Sequence, residues 1–311
     1  MKVIVVGAGI AGLMAAREAS ALGHDVIVFD KGRGVGGRLA TRRIEDGTLD
    51  HGAQFFTVRE DGFAAHVDSW LREGVVREWC RGFSDVDGHP RYVGTRGMSG
   101  IAKHLAGGVD VRVNSLVFSL ARDGAGFIVT LDDGSKHPCD AVVLTAPIPQ
   151  SFSLMFSAEI EMPEQLRTID YDRTLGLLAV LDSPHHLVAA PGGMQNPDAV
   201  FSFIGDNLAK GVSQAPAITF HANPEWSRQR FDDELAAIHD ELLEAARPWL
   251  GDSRIVASEP KKWRFATPRS TWPERHWATC EGRLVLAGDA FAGPKVEGAA
   301  LSGIAAGQLL Q

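Results

Sequence analysis

The sequence predicts an α/β protein in which the larger unit is built from both ends of the chain, with a smaller α+β part inserted between them. The 311-residue chain opens with a β-branched run, "KVIVV", followed by a glycine loop and a helix with apolar periodicity. It closes with a second strand, loop and helix, "GRLVLAGDAFAGPKVEGAALSG", over residues 282–303. This pattern at both ends is typical of a parallel sheet that binds a ligand at one edge.

The composition narrows the class of protein. Hydrophobic residues make up 45% of the chain and charged residues 23%, and no stretch approaches ~20 consecutive apolar residues, so we expect no membrane partner. The net charge of −8 argues against nucleic acid as a partner. Cys80, Cys139 and Cys280 show neither zinc-ligand spacing nor a dithiol pair, so no metal site is expected and a cytoplasmic location suits them.

The opening loop has the spacing G-x-G-x-x-G, with Gly7, Gly9 and Gly12. The first glycine permits the tight turn, the second lets the backbone approach a pyrophosphate, and the third lets helix and strand pack closely. The helix that begins at Ile10 and Ala11 then offers free N–H groups to the phosphates.

A second strand, "DVIVF", leads to Asp30, 18 residues after Gly12. An acid at this distance is suited to accept hydrogen bonds from ribose hydroxyls. A free 2′-hydroxyl is therefore expected on the adenosine, and both FAD and NAD meet that condition.

The next segments decide between the two dinucleotides. "KGRGVGGRLATRR" (31–43) and "DHGAQFFT" (50–57) carry a G-G-R-x-x-T stretch and a D-x-G-A stretch. In these motifs the chain resembles the flavin-containing amine oxidase superfamily, and the matching residues are Asp30, Gly36, Gly37, Arg38, Thr41, Asp50, Gly52 and Ala53. The resemblance implies an FAD-binding Rossmann-like domain of the amine oxidase / p-hydroxybenzoate hydroxylase type.

That resemblance also assigns roles to individual residues. It places Arg38 and Gly37 against the pyrophosphate, where a guanidinium neutralises phosphate well, with Lys31 beside Asp30. Four residues after D-x-G-A would pass the flavin ring: Gln54, Phe55, Phe56 and Thr57.

The middle of the chain fits the same architecture. Residues 109–134 are predicted to form strands joined by hairpin turns at Asp123-Gly124 and Asp133-Gly134, and residues 139–149 contain a buried strand that returns to the cofactor domain. The resemblance implies that the backbone at Val117 lies against adenine.

The closing stretch places Asp289 at the carboxyl end of a strand, at the ligand-facing edge of the sheet. In the superfamily such an aspartate binds the ribityl chain of FAD. The helix that follows is expected to direct free N–H groups at the anionic edge of the flavin, through Val296, Glu297, Gly298 and Ala299.

These assignments divide the chain into two predicted domains. The FAD-binding domain takes residues 1–60, 95–150 and 255–311, and the substrate domain takes 61–94 and 151–254. Within the substrate domain we expect strands at 173–182, 199–207 and 215–223, and an amphipathic helix at 231–251.

The short substrate domain resembles the compact renalase branch of the superfamily, with "DHGAQFF", "KKWRFATP" and the closing stretch as the matching segments. This implies an oxidase of the 2- and 6-dihydro isomers of NAD(P)H, which produces NAD(P)⁺ and, with O2, hydrogen peroxide. The strand at 173–182 lacks the lysine that many amine oxidases carry. Hydride loss from a dihydronicotinamide needs no general base.

Candidate contacts with the substrate follow from position in the chain. His221 ends a strand that should point at the flavin, and it is the candidate catalytic residue. Further substrate contacts are expected from Thr95, Asn207, Trp263 and Arg264.

Two other functions stay open at this point. One is an amine oxidase or desaturase of a small organic substrate, although only two tyrosines are available for an aromatic cage. The other is an FAD-binding redox module without turnover. The oligomeric state is not predicted.

Overall fold

The computed structural model describes residues 1–83, 86–185 and 188–310 of the chain. The described residues form eighteen strands: β1 (Lys2–Val6), β2 (Asp25–Phe29), β3 (Thr41–Ile44), β4 (Gly47–Asp50), β5 (Val76–Gly82), β6 (Val86–Gly94), β7 (Asp110–Arg112), β8 (Val117–Asp123), β9 (Gly126–Leu131), β10 (Lys136–Cys139), β11 (Ala141–Leu144), β12 (Tyr171–Leu181), β13 (Gly193–Gln195), β14 (Phe201–Asp206), β15 (Ala217–Ala222), β16 (Ile255–Pro268), β17 (Trp277–Thr279) and β18 (Leu284–Leu286).

The same residues form eight α-helices: α1 (Ile10–Ala21), α2 (Asp61–Arg72), α3 (Ser99–Leu105), α4 (Ile148–Ser157), α5 (Glu164–Arg167), α6 (Pro224–Arg230), α7 (Leu235–Ala246) and α8 (Lys295–Leu309). A 3₁₀ turn, Arg247–Trp249, follows α7. Across the described part of the chain, no helix has the length and apolar content needed to span a membrane.

The central element is a six-stranded sheet in the order β17-β18-β11-β1-β2-β7. Its strands run parallel except for the edge strand β17, and the βαβ unit formed by β1, α1 and β2 is the expected one. The β-branched residues of β1 and β2 are buried because both faces of a parallel sheet are covered. The strand expected within 139–149 is β11, which pairs with β1, as predicted.

Each face of this sheet has its own core. On one face Val3 and Val5 pack with Leu13 of α1 and Ala300 of α8. On the other face Ile4 packs with the three-stranded sheet β10-β9-β8 and with α4. The two hairpins predicted in 109–134 are confirmed, because β8 and β10 each pair antiparallel with β9.

Small residues bring the first and last helices into contact. A Cβ added at Gly303 of α8 would overlap the backbone carbonyl of Ala11 in α1, and one added at Gly307 would lie 2.6 Å from the Ala15 carbonyl oxygen. Only glycine permits this approach of two helix backbones. The two ends of the chain are thereby joined in one layer.

The second large sheet has the order β13-β14-β15-β12-β16, with antiparallel pairs throughout. Alternate residues of β12, such as Leu177, pack against Ile238 and Leu242 of α7. The three strands expected here are confirmed as β12, β14 and β15. The helix begins at Leu235 instead of residue 231, because Glu234 is extended and precedes it as the N-cap.

The structure corrects two of the predicted boundaries. Strand β16 lies in the second sheet and pairs with β12 from Ile255 to Pro268, so residues 255–268 do not belong to the cofactor sheet. Helix α2 packs Phe63, Val67 and Trp70 into the core beside α1 and α8.

The contact between α1 and α8 yields a testable prediction. Gly303→Ala should lower the free energy of unfolding by about 1–3 kcal/mol, because the added methyl group overlaps the Ala11 carbonyl. The matched control is Gly100→Ala in α3, where a Cβ would meet its nearest atom at 3.5 Å. Urea unfolding of both variants measures the difference, and equal stability would contradict the close approach.

Candidate active site

A cavity of about 620 Å³ lies between the carboxyl ends of β1 and β18 and the five-stranded sheet. It brings together residues from both glycine motifs, from the segment after β4 and from the five-stranded sheet. The predicted cofactor and substrate residues that line it are Gly9, Ile10, Ala11, Arg38, Phe55, Phe56, Thr57, His221, Trp263, Asp289, Val296, Glu297 and Ala299.

The opening loop has the geometry of an anion cradle. Gly7 has φ +109°, and a Cβ there would lie 2.6 Å from the Thr145 hydroxyl. Gly9 precedes α1 without a side-chain cap, and the first turn of α1 contains no acid. The first N–H groups of α1 and their dipole are therefore available to a phosphate.

Two other glycines of the opening region hold this cradle in place. A Cβ at Gly12 would overlap the Gly7 carbonyl, so Gly12 serves close packing and does not line the cavity. Gly37 has φ +52°, and a Cβ there would lie 3.5 Å from the Gly9 Cα atom.

Asp30 directly follows β2, as predicted, and joins two loops. Its carboxylate accepts the Ala8 and Gly32 N–H groups, each at 2.6 Å. A carboxylate has about four lone-pair sites, so acceptor capacity remains for ribose hydroxyls. Neighbouring Lys31 is exposed, with Nζ 3.4 Å from Gln150 Oε1. Both side chains lie outside the cavity lining.

Arg38 and Asp289 come together from opposite ends of the chain. The guanidinium donates to both carboxylate oxygens of Asp289, at 2.5 and 2.7 Å, and one nitrogen also lies 3.2 Å from the Ala266 carbonyl oxygen. Both side chains line the cavity. This pair therefore sits where the two glycine motifs meet.

The closing helix α8 begins at the cavity wall. Its N-cap, Pro294, makes no side-chain cap bond, and Val296 and Ala299 line the cavity. Gly298 lies outside the lining because it packs on Gly293, where a Cβ would overlap the carbonyl. The Glu297 carboxylate accepts the N–H groups of residues 59 and 60, at 2.7 and 2.9 Å.

The segment after β4 forms an aromatic wall. Phe55 lines the cavity and belongs to a cluster with Trp79, Phe83 and Phe203, whose ring centroids lie 5.2–6.1 Å apart. Gln54 turns away from the cavity, because its Nε2 donates to the backbone carbonyls of residues 50 and 52 at 2.6 and 3.3 Å.

His221 and Trp263 share one partner, the backbone carbonyl of His51. His221 Nε2 lies 3.2 Å from that oxygen and Trp263 Nε1 lies 2.7 Å from it. The His51 ring stacks on Trp263 with centroids 5.4 Å apart. Burial lowers the pKa of His221 to about 4, and burial with the nearby Lys261 charge lowers the pKa of His51 to about 4.

These contacts define what His221 offers to a ligand. The ring is neutral near neutral pH, and Nε2 must carry the hydrogen in order to donate to the His51 carbonyl. Nδ1 then keeps a bare lone pair, and it has no partner among the described residues. Since His221 lines the cavity, this lone pair is available as a hydrogen-bond acceptor.

The structure does not bring four predicted contacts into the cavity. Arg264 is exposed and lies over the Phe231 ring, on the outer side of β16. The Thr95 hydroxyl donates to the Gly74 carbonyl at 2.8 Å. Asn207 is fully buried behind the cavity wall, and Val117 is buried in the core below the three-stranded sheet.

One buried ion pair was missed by sequence reasoning. Lys210 Nζ lies 2.7 Å from Asp50 Oδ2, and neither side chain is exposed. Burial lowers the pKa of Lys210, and the Asp50 charge opposes that shift. Asp50 belonged to the D-x-G-A motif, but Lys210 lies in a loop with no motif of its own.

Comparison with known proteins assigns the family. The family model described as flavin containing amine oxidoreductase matches residues 63–310, and that of an NAD(P)-binding Rossmann-like domain matches residues 5–69. Among curated proteins, polyamine oxidase 4 of Oryza sativa subsp. japonica is 30% identical over 209 residues, which is 66% of this chain and 40% of the relative.

Two further similarities were found, one to a short part of a desaturase sequence and one to the fold of an oxidase. A 4,4′-diapophytoene desaturase of Staphylococcus aureus is 42% identical over 52 residues, 17% of this chain and 10% of the relative. The chain thus spans between 10% and 40% of the length of these curated relatives. The structure of putrescine oxidase bound to putrescine superposes with a TM-score of 0.71 at 14% identity, covering 99% of this chain and 98% of that one.

The Arg38–Asp289 pair leads to a prediction on cofactor retention. Asp289→Ala should weaken FAD retention, because it removes the carboxylate expected at the ribityl chain and releases Arg38 from its partner. Flavin absorbance per protein after gel filtration measures the loss. The matched control is Asp110→Ala, which breaks an exposed pair with Arg112. Full flavin content in the first variant would remove Asp289 from the FAD site.

The histidine pair leads to a prediction on pH. The unfolded state takes up protons near pH 6.5, and the folded state does so only near pH 4, so the protein loses stability as the pH falls between these values. His221→Gln should make this loss shallower by up to about 1.4 kcal/mol per pH unit. Urea unfolding at a series of pH values tests it. An identical slope in both proteins would contradict a buried neutral His221.

Proposed function

The chain belongs to the flavin-containing amine oxidoreductase family, with FAD as its cofactor, and from that premise we propose that it oxidises isomeric dihydronicotinamide dinucleotides. The 2- and 6-dihydro forms of NAD(P)H are the proposed substrates, as in renalases. When bound, FAD supplies the chemistry by accepting the hydride and passing the electrons to O2, so that the products are NAD(P)⁺ and hydrogen peroxide. The three widely spaced cysteines of the sequence suit the cytoplasmic location proposed for it.

The charge of the cavity lining is the observation that carries this proposal. Arg59, Arg91 and Lys295 line the cavity, in addition to Arg38. The two carboxylates in the lining are engaged, since Asp289 pairs with Arg38 and Glu297 accepts two backbone N–H groups. Arg38 is expected at the FAD pyrophosphate, so Arg59, Arg91 and Lys295 are the cations that remain for a substrate. Cations at these positions attract the pyrophosphate of a second dinucleotide and repel a cationic polyamine.

The weak basicity of His221 fits the same substrate. Oxidation of a dihydronicotinamide removes a hydride and leaves an aromatic cation, so no proton has to be abstracted. His221 is neutral, its Nε2–H is committed to the His51 carbonyl, and its Nδ1 lone pair can accept an N–H of the substrate carboxamide. The residue is thereby suited to orient the substrate ring.

The aromatic wall supplies the surface for that ring. Phe55 presents its ring to the cavity, and the Arg91 guanidinium lies 5.7 Å from its centroid and 4.8 Å from that of Phe83. An apolar plane beside cationic groups suits a nicotinamide joined to phosphates. Trp263, stacked on His51, forms a second flat surface.

The second candidate is an amine oxidase or desaturase, and the comparisons favour this class over the first. The names of these relatives refer to polyamines, to 4,4′-diapophytoene and to putrescine. None of these names refers to a dihydronicotinamide. The sequence has only two tyrosines for an aromatic cage, but the Phe55 cluster provides an aromatic surface made of phenylalanine and tryptophan rings. A third candidate is an FAD-binding redox module without turnover.

Anaerobic mixing of the flavin-loaded protein with single donors distinguishes these functions. We expect rapid loss of flavin absorbance with 2- and 6-dihydro-NAD(P), and none with putrescine or spermidine. Bleaching by an amine alone would establish the second candidate and refute the first. If none of these donors bleaches the flavin, the first two candidates are refuted and the third, an FAD-binding redox module without turnover, is the one that remains.

Two variants test the role of charge within the same experiment. Arg59→Gln should raise the apparent Kd of the dinucleotide about tenfold, because it removes one charged contact from the cavity lining. The matched control is Arg43→Gln, an exposed arginine of β3 outside the lining. Equal affinity in the two variants would show that the cavity charge does not select the substrate.

A further inference from the structure

The buried pair of Lys210 and Asp50 lies behind the cavity wall and has no part in the function proposed above. Its two charged atoms are 2.7 Å apart, and neither side chain is exposed. Burying two charges costs as much as their attraction returns, or more, so such a pair is weak evidence for net stability. The surrounding contacts indicate instead that the pair holds the backbone near Asp50 in position.

The carboxylate of Asp50 is held from three directions. Oδ1 accepts the Thr41 hydroxyl at 2.6 Å and the Met98 N–H at 2.8 Å, while Oδ2 accepts Lys210 Nζ. The Lys210 ammonium also lies 5.5 Å from the centroid of the Trp79 ring. The ion pair therefore ties the loop after β14 to the end of β4.

The backbone of Asp50 is held by the same loop and by β15. Its N–H donates to Asn207 Oδ1 at 3.2 Å, and its carbonyl accepts the Thr219 hydroxyl at 2.9 Å. The next residue is His51, whose carbonyl accepts from His221 and Trp263. A shift at residue 50 therefore passes directly to the group that orients His221.

We propose that Lys210 is a positioning residue, whose ion pair with Asp50 fixes the backbone at residues 50–51 and so holds His221 in one tautomer. In that tautomer Nε2 carries the hydrogen and the Nδ1 lone pair is presented to the cavity. Lys210 itself touches neither the cavity nor any ligand in it. The role does not depend on which substrate the cavity accepts.

Nitrogen NMR of the histidine rings in the flavin-loaded protein tests this role without any substrate. The wild-type protein should show His221 with one protonated and one bare ring nitrogen. In Lys210→Met the ratio of the two tautomers should fall about fivefold, because the Nε2–H bond to the His51 carbonyl is weakened. Unchanged His221 signals in the folded variant would overturn the proposal.

Asp50→Asn combined with Lys210→Met covers the case in which the single variant does not fold. Replacing both partners leaves no unpaired buried charge, so the double variant keeps its core. It should show the same loss of tautomer preference, and wild-type signals in it would also overturn the proposal.

A control variant separates positioning from general loss of stability. Leu242→Ala removes a fully buried side chain of α7 that takes no part in the ion pair, and it should lower the unfolding midpoint while leaving the His221 signals unchanged. If Leu242→Ala changes the tautomer ratio as much as Lys210→Met does, the effect is general loosening and the proposal fails. Because the readout needs no substrate, its failure is distinct from failure of the proposed function.

Discussion

Asp50, the last residue of β4, uses its carboxylate, its backbone N–H and its backbone carbonyl to join parts of the chain that are far apart in sequence. It links the β3–β4 hairpin to the start of α3 and to the five-stranded sheet. Removing one partner of such a buried pair costs about 3–5 kcal/mol, because the other charge is left without compensation. Asp50 therefore helps to set the relative placement of the cofactor-binding sheet and the substrate wall, together with the bonds of His221 and Trp263 to the His51 carbonyl.

The cofactor side of the cavity could be predicted from the sequence because local rules determine it. Gly7 needs a positive φ, Gly12 needs close packing, and Asp30 must end a strand, and each requirement is visible within a few residues of the chain. The closing motif obeys the same rules. The family resemblance placed Arg38 and Asp289 at two parts of one cofactor, but it did not predict their ion pair.

The substrate side could be predicted only in part because its contacts are distant in sequence. Lys210 and Asp50 are separated by 160 residues, and neither position carries a pattern that specifies the other. Asn207 was expected to contact a ligand. Its amide oxygen instead accepts the Asp50 N–H, and its amide nitrogen donates to the Thr219 hydroxyl in the interior. Residues 255–268 were placed in the FAD-binding domain because they lie near the closing motif, whereas they form β16 and pair with β12.

The glycines that join α1 to α8 have a consequence for the order in which the chain can fold. The face of α1 that carries Ala11 and Ala15 is covered by residues synthesised almost 300 positions later. At typical rates of translation this face stays uncovered for a time on the order of tens of seconds. During synthesis this face of α1 is thus an apolar surface open to chaperones until α8 has been made.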